Sequence, residues 1–218
     1  MIRAACLTMS AAAPTSTAQA ASGPELLAAA QLAQRLQAGS AALFPTDTLP
    51  ALAAAPAHAA QIWQLKQRPA DKPLILMAAD LEQFRDALGL PWQAEWSAVA
   101  EQVWPGAVTL VLPASSDWAE ALHPGGGSLG LRIPACDQAR ELLRCSGPLA
   151  TTSANRSGEP AATTAAEAAA LFPQVPQLAP VPWPAAGGTA STVLGWSSEG
   201  WCVLRAGANL PAGIPVIS

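Results

Sequence analysis

The stretch Ser128-Leu-Gly-Leu-Arg-Ile133, followed by Asp137 to Cys145 and then by Leu149-Ala-Thr-Thr152, decides the fold class. Its first piece is Leu/Ile-rich and leaves the glycine loop His123-Pro-Gly-Gly-Gly127, so it reads as a strand. Asp137 is positioned to cap a helix, and Gly147-Pro148 breaks that helix. Leu149 to Thr152 then reads as a second strand, entering the polar run Ser153-Ala-Asn155-Arg-Ser157-Gly158. Strands interleaved with short helices predict an α/β sheet fold.

The same pattern extends outward. Upstream, Ala107-Val-Thr-Leu-Val-Leu112, Pro73-Leu-Ile-Leu-Met77 and Ala41 to Phe44 read as strands. Helices are expected over 95–103, over 57–67 with Pro69 ending it, and from Gly23-Pro24-Glu25 to a stop at Gly39. In the last of these, Leu26, Leu27, Ala30, Leu32 and Leu36 supply the apolar face. Asp80 with Gln83, and Thr164 with Glu167, have the spacing of capping boxes. Downstream, the Pro-rich residues 173–184 read as a connector, and strands are expected near 191–194 and 201–205.

Composition bounds the function. About half of the 218 residues are apolar, enough for one sizeable core, and residues 24–207 read as a single domain. Residues 1–23 are Ala/Ser/Thr-rich and predict a disordered extension, and 208–218 predict a C-terminal tail. The net charge of −4 and the lack of a polybasic tail argue against recruiting nucleic acid by bulk charge. The four cysteines show no CxxC pair and the two histidines lie far apart, so no metal site is expected. No run reaches the ~18–20 apolar residues of a membrane span, and the cysteine usage fits a reducing, cytoplasmic setting.

The charge map singles out one segment. The only lysines, Lys66 and Lys72, flank Arg68 in Lys66-Gln-Arg-Pro-Ala-Asp-Lys72. Such a cluster suits phosphate, through the Arg fork and movable Lys charges, and it equally suits the negative end of a helix. Three hydroxyl-rich loops follow strands: Pro45-Thr-Asp-Thr48, Thr151-Thr-Ser-Ala-Asn155 and Gly188-Thr-Ala-Ser-Thr192. Each alone is ordinary turn chemistry. Together with the cations they point to a pocket for a polar small molecule.

Six segments then look like the successive motifs of the YrdC/Sua5 family, in that family's order. They are Phe44-Pro-Thr-Asp-Thr48, Lys66-Gln-Arg-Pro-Ala-Asp-Lys-Pro-Leu74, Trp104-Pro-Gly-Ala-Val-Thr109, Leu129-Gly-Leu-Arg-Ile-Pro134, Thr152-Ser-Ala-Asn-Arg-Ser-Gly158 and Gly188-Thr-Ala-Ser-Thr-Val193. The resemblance is to the short YrdC type and implies one YrdC-like α/β domain. That domain is a twisted mixed sheet with flanking helices and a deep basic cavity.

The implied activity is L-threonylcarbamoyladenylate synthase, a nucleotidyltransferase. It makes threonylcarbamoyl-AMP and pyrophosphate from ATP, L-threonine and bicarbonate, with Mg²⁺, for modification of tRNA. By resemblance, Lys66, Arg68 and Lys72 act on the ATP phosphates. Ser128, Asn155, Thr163 and Arg205 match further nucleotide positions, and Thr46, Arg132, Ser153 and Ser191 match positions that hold L-threonine. Implied partners are tRNA or double-stranded RNA and other proteins of tRNA threonylcarbamoylation. Two departures are Pro50, where the family has an aromatic, and Met77, where some members have a threonine-holding histidine. His58 and His123 do not fill that slot by spacing. No general base stands out, and Asp47 reads as a cap of its own turn. The alternatives are an RNA-binding YrdC-like module without this activity, a paralogue making a different carbamoyl- or acyl-adenylate, and a structural scaffold.

Overall fold

In the computed structural model, residues 23–67, 69, 72–209, 212–214 and 216–217 are described. Most of the expected extension at 1–23, and the candidate Arg68, lie outside them.

The strands are β1 (Leu26–Leu27), β2 (Ala42–Phe44), β3 (Ala51–Ala54), β4 (Ile75–Met77), β5 (Val108–Pro113), β6 (Ser128–Arg132), β7 (Leu149–Ser153), β8 (Gln177–Leu178), β9 (Thr192–Ser197) and β10 (Gly200–Arg205). The helices are α1 (Ala29–Gln37), α2 (Ala60–Lys66), α3 (Ala94–Val103), α4 (Asp117–Leu122), α5 (Asp137–Ser146) and α6 (Ala165–Leu171). Among the described residues the strands form one mixed sheet in the order β1-β8-β2-β3-β7-β4-β6-β5-β9-β10. Parallel pairs are β1/β8, β2/β8, β4/β6 and β5/β9, and the remaining neighbours are antiparallel. The expected α/β fold, a mixed sheet with flanking helices, is therefore present. None of the described helices is long and apolar enough to cross a membrane.

Strand residues alternate between two apolar clusters, because successive side chains leave a strand on opposite faces. Leu43, Leu52, Leu76 and Ala150 join Leu110, Leu112, Leu129 and Leu131 in the larger cluster, with Ile62, Trp96, Val99 and Leu122 of α2, α3 and α4. Ala42, Phe44, Ala51, Ala53, Met77 and Leu149 face the other way. They pack under α1 and α5 through Leu32, Leu36, Leu142 and Leu143. The strand members of this second cluster come from β2, β3, β4, β7 and β8. Among the described residues, β5, β6 and β9 contribute no member to this second cluster.

Several expectations shift. The first helix begins at Ala29, not Pro24, and Leu26–Leu27 form a strand instead. The cause is tertiary: Gln177 N and Ala179 N donate to Glu25 O and Leu27 O at 2.8 Å, giving this segment ladder bonds with distant residues. The buried helix face is consequently Ala29, Leu32, Ala33 and Leu36, and Ala30 is exposed. Asp80 does accept from Gln83 N at 3.1 Å, but only a single 3₁₀ turn (Glu82–Phe84) follows. Asp137 is the first helical residue, with Cys136 as the cap position. The helix over 57–67 ends at Gln67, whose φ of 52° turns the chain before Pro69. Strand β3 and helix α4 were not expected; β3 consists of short, alanine-rich residues that carry little strand propensity.

Leu131 is fully buried and pairs with Leu76 on β4 and Leu110 on β5. Leu131→Ala should lower unfolding free energy by about 2–5 kcal/mol, read by urea denaturation. An unchanged midpoint would contradict the packing described.

Candidate active site

The second face of the sheet carries a cavity of about 490 Å³. Its floor is the set of alternate residues that the larger core does not use. Strand β6 contributes Ser128, Gly130 and Arg132, and β5 contributes Thr109 and Val111. Thr151 and Ser153 come from β7, Ile75 and Met77 from β4, and Ser191 and Val193 from the start of β9. Thr48, Leu49, His123, Leu204 and Arg205 add to the walls. Gly130 keeps the floor low: a Cβ there would come within 2.9 Å of Ile75 Cγ2. A concave site of this size, lined by aliphatic groups and a few converging polar ones, suits a small-molecule ligand.

Arg132 anchors the site and is 3% exposed. Its Nη2 donates to Asp47 Oδ1 at 2.7 Å, Nη1 to Thr48 Oγ1 at 2.7 Å, and Nε to Gly106 O at 3.0 Å. Burial lowers its pKa and the Asp47 carboxylate opposes that; an arginine stays protonated. Asp47 also accepts from Ala135 N at 3.1 Å. The turn-capping role expected of Asp47 belongs instead to Thr46, whose Oγ1 accepts from Thr48 N and Leu49 N and donates to Leu49 O. Thr46 is thus buried in its own turn beneath the wall formed by Thr48 and Leu49.

Lys66 is 2% exposed at the end of α2. Its Nζ donates to Ser153 O at 2.6 Å, to Asn155 O at 2.7 Å and to Asn155 Oδ1 at 2.7 Å. Ser153 Oγ donates to the same Asn155 Oδ1 at 2.7 Å, while Asn155 Nδ2 donates to Arg156 O and Glu159 O. The lysine therefore ties the cation segment to the loop that leaves β7. Ser153 lines the cavity and Asn155 stands behind it.

On the opposite wall, Ser191 Oγ and Thr109 Oγ1 share a 2.9 Å hydrogen bond. Arg205 Nη2 donates to Ser191 O at 2.8 Å, and the rest of this exposed side chain borders the cavity. Ser128 O and Oγ lie 3.1 and 3.3 Å from His123 Nδ1.

Of the expected site residues, Ser128, Arg132, Ser153, Ser191 and Arg205 line the cavity. Lys72 is exposed beside the lining residue Pro73. Thr163 is exposed at the start of α6, where its N and Oγ1 donate to Glu167 Oε2 at 2.7 and 3.0 Å. Those bonds hold the Glu167 carboxyl below its ordinary range. Among the described residues the arginines in the lining are Arg132 and Arg205, set among hydroxyls and aliphatic carbons, and the deep basic character expected of the cavity is not shown by them. Thr48, Thr109 and Thr151 also line it and were not singled out, and His123, set aside on spacing as a threonine-holding histidine, lines it too. Thr48 and Thr109 sat inside quoted motifs, and Thr151 in a quoted loop. Among the described residues no cluster of three or more His, Cys, Asp or Glu could hold a metal.

The Sua5/YciO/YrdC family model, described as telomere recombination, matches residues 34–207. A threonylcarbamoyl-AMP synthase of Bacillus subtilis is 38% identical over 144 residues, which cover 62% of this chain and 40% of the relative. One from Stenotrophomonas maltophilia is 39% identical over 137 residues, covering 58% of this chain and 71% of the relative. The structure of P. abyssi Sua5 complexed with L-threonine is similar at a TM-score of 0.75 and 31% identity, over 82% of this chain and 54% of that one. The match thus spans less than half of the Bacillus relative and just over half of the P. abyssi chain.

Removing one partner of a buried ion pair leaves an uncompensated charge. Asp47→Ala should cost about 3–5 kcal/mol in urea denaturation. Glu82→Ala, which breaks an exposed pair with Arg85, should cost at most about 1 kcal/mol. Equal losses in the two variants would overturn the anchoring role of Asp47 and Arg132.

Proposed function

This chain belongs to the Sua5/YciO/YrdC family, and we propose that it joins L-threonine, bicarbonate and ATP into threonylcarbamoyl-AMP, releasing pyrophosphate. The observation that carries this reading is the cavity itself, which brings a fixed set of hydroxyls between two arginines at strand ends. Its volume suits small substrates better than a nucleic-acid surface, and the net charge of −4 likewise disfavours a purely RNA-binding module. The likeness to a Sua5 complexed with L-threonine supports threonine as the amino acid.

In the reaction, the threonine amine forms a carbamate with bicarbonate. A carbamate oxygen then bonds to the α-phosphorus of ATP as the bond to the β-phosphate oxygen breaks. Catalysis of this kind is positional and electrostatic. Ser153, Ser191 and Thr109 hold the amino acid through hydroxyl groups fixed by their own partners. Arg132 keeps its ion pair with Asp47 and presents a cationic floor toward the threonine carboxylate. Arg205, Lys72 and Arg68 neutralise the phosphates. Lys66 positions Ser153 and Asn155, and Ser128 and Thr163 border the nucleotide. Mg²⁺ accompanies ATP as the MgATP substrate. The product serves the proteins that transfer threonylcarbamoyl to tRNA, in the cytoplasm.

Pyrophosphate release from MgATP should require both L-threonine and bicarbonate. Arg68→Ala and Arg205→Ala should each lower the rate by about 10²-fold or more with the far-UV circular dichroism unchanged. Release that ignores threonine would replace this reading with another acceptor. ATP hydrolysis or binding that is absent altogether would favour the RNA-binding alternative.

A further inference from the structure

The loop that leaves β7 carries Arg156 directly after Asn155, and this cation is not part of the cavity lining. Its guanidinium joins the ends of two helices instead. Nη1 donates to Leu65 O in the last turn of α2, and Nη2 donates to Leu171 O at the end of α6 at 3.1 Å. Cζ lies 5.0 Å from the centroid of the buried Phe172 ring. The last carbonyls of a helix lack partners within it, and its C-terminal end is negative, so both effects hold a cation there. A planar fork can serve two carbonyls while its face lies over an aromatic ring, and a lysine ammonium lacks that plane.

The consequence falls on α2. Its last residue is Lys66, followed by Gln67 and then by the cation segment that runs to Lys72. Lys66 O accepts from Ser157 N at 3.2 Å, while Lys66 Nζ donates to Ser153 O, Asn155 O and Asn155 Oδ1. Arg156 O accepts from Asn155 Nδ2 at 2.9 Å. The end of α2 and the loop 153–157 are thus clasped in both directions, and Arg156 adds α6 to the clasp. The far end of the cation segment also hangs on α2, because Trp63 Nε1 donates to Lys72 O at 3.0 Å. Where α2 ends therefore decides where the segment lies. Ser153 has separate support: it pairs with Ala51 on β3, and the next residue, Ala154, donates its N–H to Pro50 O at 2.9 Å.

We propose that Arg156 is a positioning residue for ATP, a role that rests on the function proposed above. By locking the end of α2 to the β7 loop and to α6, it sets the place from which the cation segment meets the phosphates. Arg156 acts through that segment and not by touching substrate. A shift of about 1 Å in a binding group can cost on the order of 10²-fold in rate even when its origin is remote. Loss of the guanidinium frees the α2 end, weakens the hold on MgATP, and leaves the amino-acid side of the cavity supported by the β3/β7 ladder.

The test is steady-state pyrophosphate release with MgATP and L-threonine varied in turn. Arg156→Ala should raise KM for MgATP about 10-fold and leave KM for L-threonine within about 2-fold of wild type. Arg156→Lys keeps the charge without the fork, so its KM for MgATP should lie nearer the alanine value than wild type; it also covers the case in which Arg156→Ala does not fold. Arg156 borders a second cavity of about 510 Å³ with Gln61, Gln64 and Gln67, so guanidinium ion added below denaturing concentrations can enter the vacated space. It should bring KM for MgATP in Arg156→Ala back toward wild type. A lower urea midpoint with both KM values unchanged would make Arg156 merely structural and overturn the proposal. Equal rises in the two KM values, or a folded Arg156→Ala that guanidinium does not rescue, would overturn it as well, and each leaves the overall reaction standing. Wild-type protein without threonine-dependent release would overturn both.

Discussion

The two-residue period of the β-strand governs this molecule. Each strand sends alternate side chains to opposite faces, and the two faces are treated differently. One face joins the core built with α2, α3 and α4. The other is sealed by α1 and α5 over only part of the sheet. Where that cover stops, residues that would otherwise be core become a cavity floor. Leu129 and Leu131 serve the core while Ser128, Gly130 and Arg132, between and beside them, serve the cavity. A one-residue slip of β6 would exchange the two sets, so packing of the leucines fixes the register of the site.

Polar groups in that cavity are held by partners far away in the chain. Arg132 on β6 binds Asp47 and Thr48 from the turn after β2, together with the Gly106 carbonyl before β5. Lys66 at the end of α2 binds the loop after β7. Ser191 binds Thr109 across two strands, and Arg205 binds Ser191. Each bond satisfies a buried polar group that would otherwise be costly to desolvate. The same bonds fix loop positions before any substrate arrives, which is the preorganisation that electrostatic catalysis needs. Arg132 and Lys66 thus act first as struts, and the more exposed Arg205 and Lys72 retain freer side chains beside the cavity.

Local signals read well where packing only reinforced them. Val108–Pro113 is a strand because of its apolar, β-branched run, and α5 stops at Gly147, where φ is +78°. Signals that depended on a distant partner read poorly. Leu26–Leu27 looked like the first turn of a helix until β8 offered ladder bonds. Asp47 looked like the cap of its own turn, yet the buried guanidinium of Arg132 is the stronger partner.

From sequence alone came the α/β class, the order of most elements and the family, because periodicity, capping residues and short motifs are local properties. The sequence also marked Ser128, Arg132, Ser153, Ser191 and Arg205 through those motifs. Only the tertiary structure decided that Lys66 faces inward, that Thr109 meets Ser191, and that His123 reaches the same cavity as Arg205. Those facts depend on which strands become neighbours and how much of each sheet face the helices cover. Both are fixed by long-range packing that no short window of sequence contains.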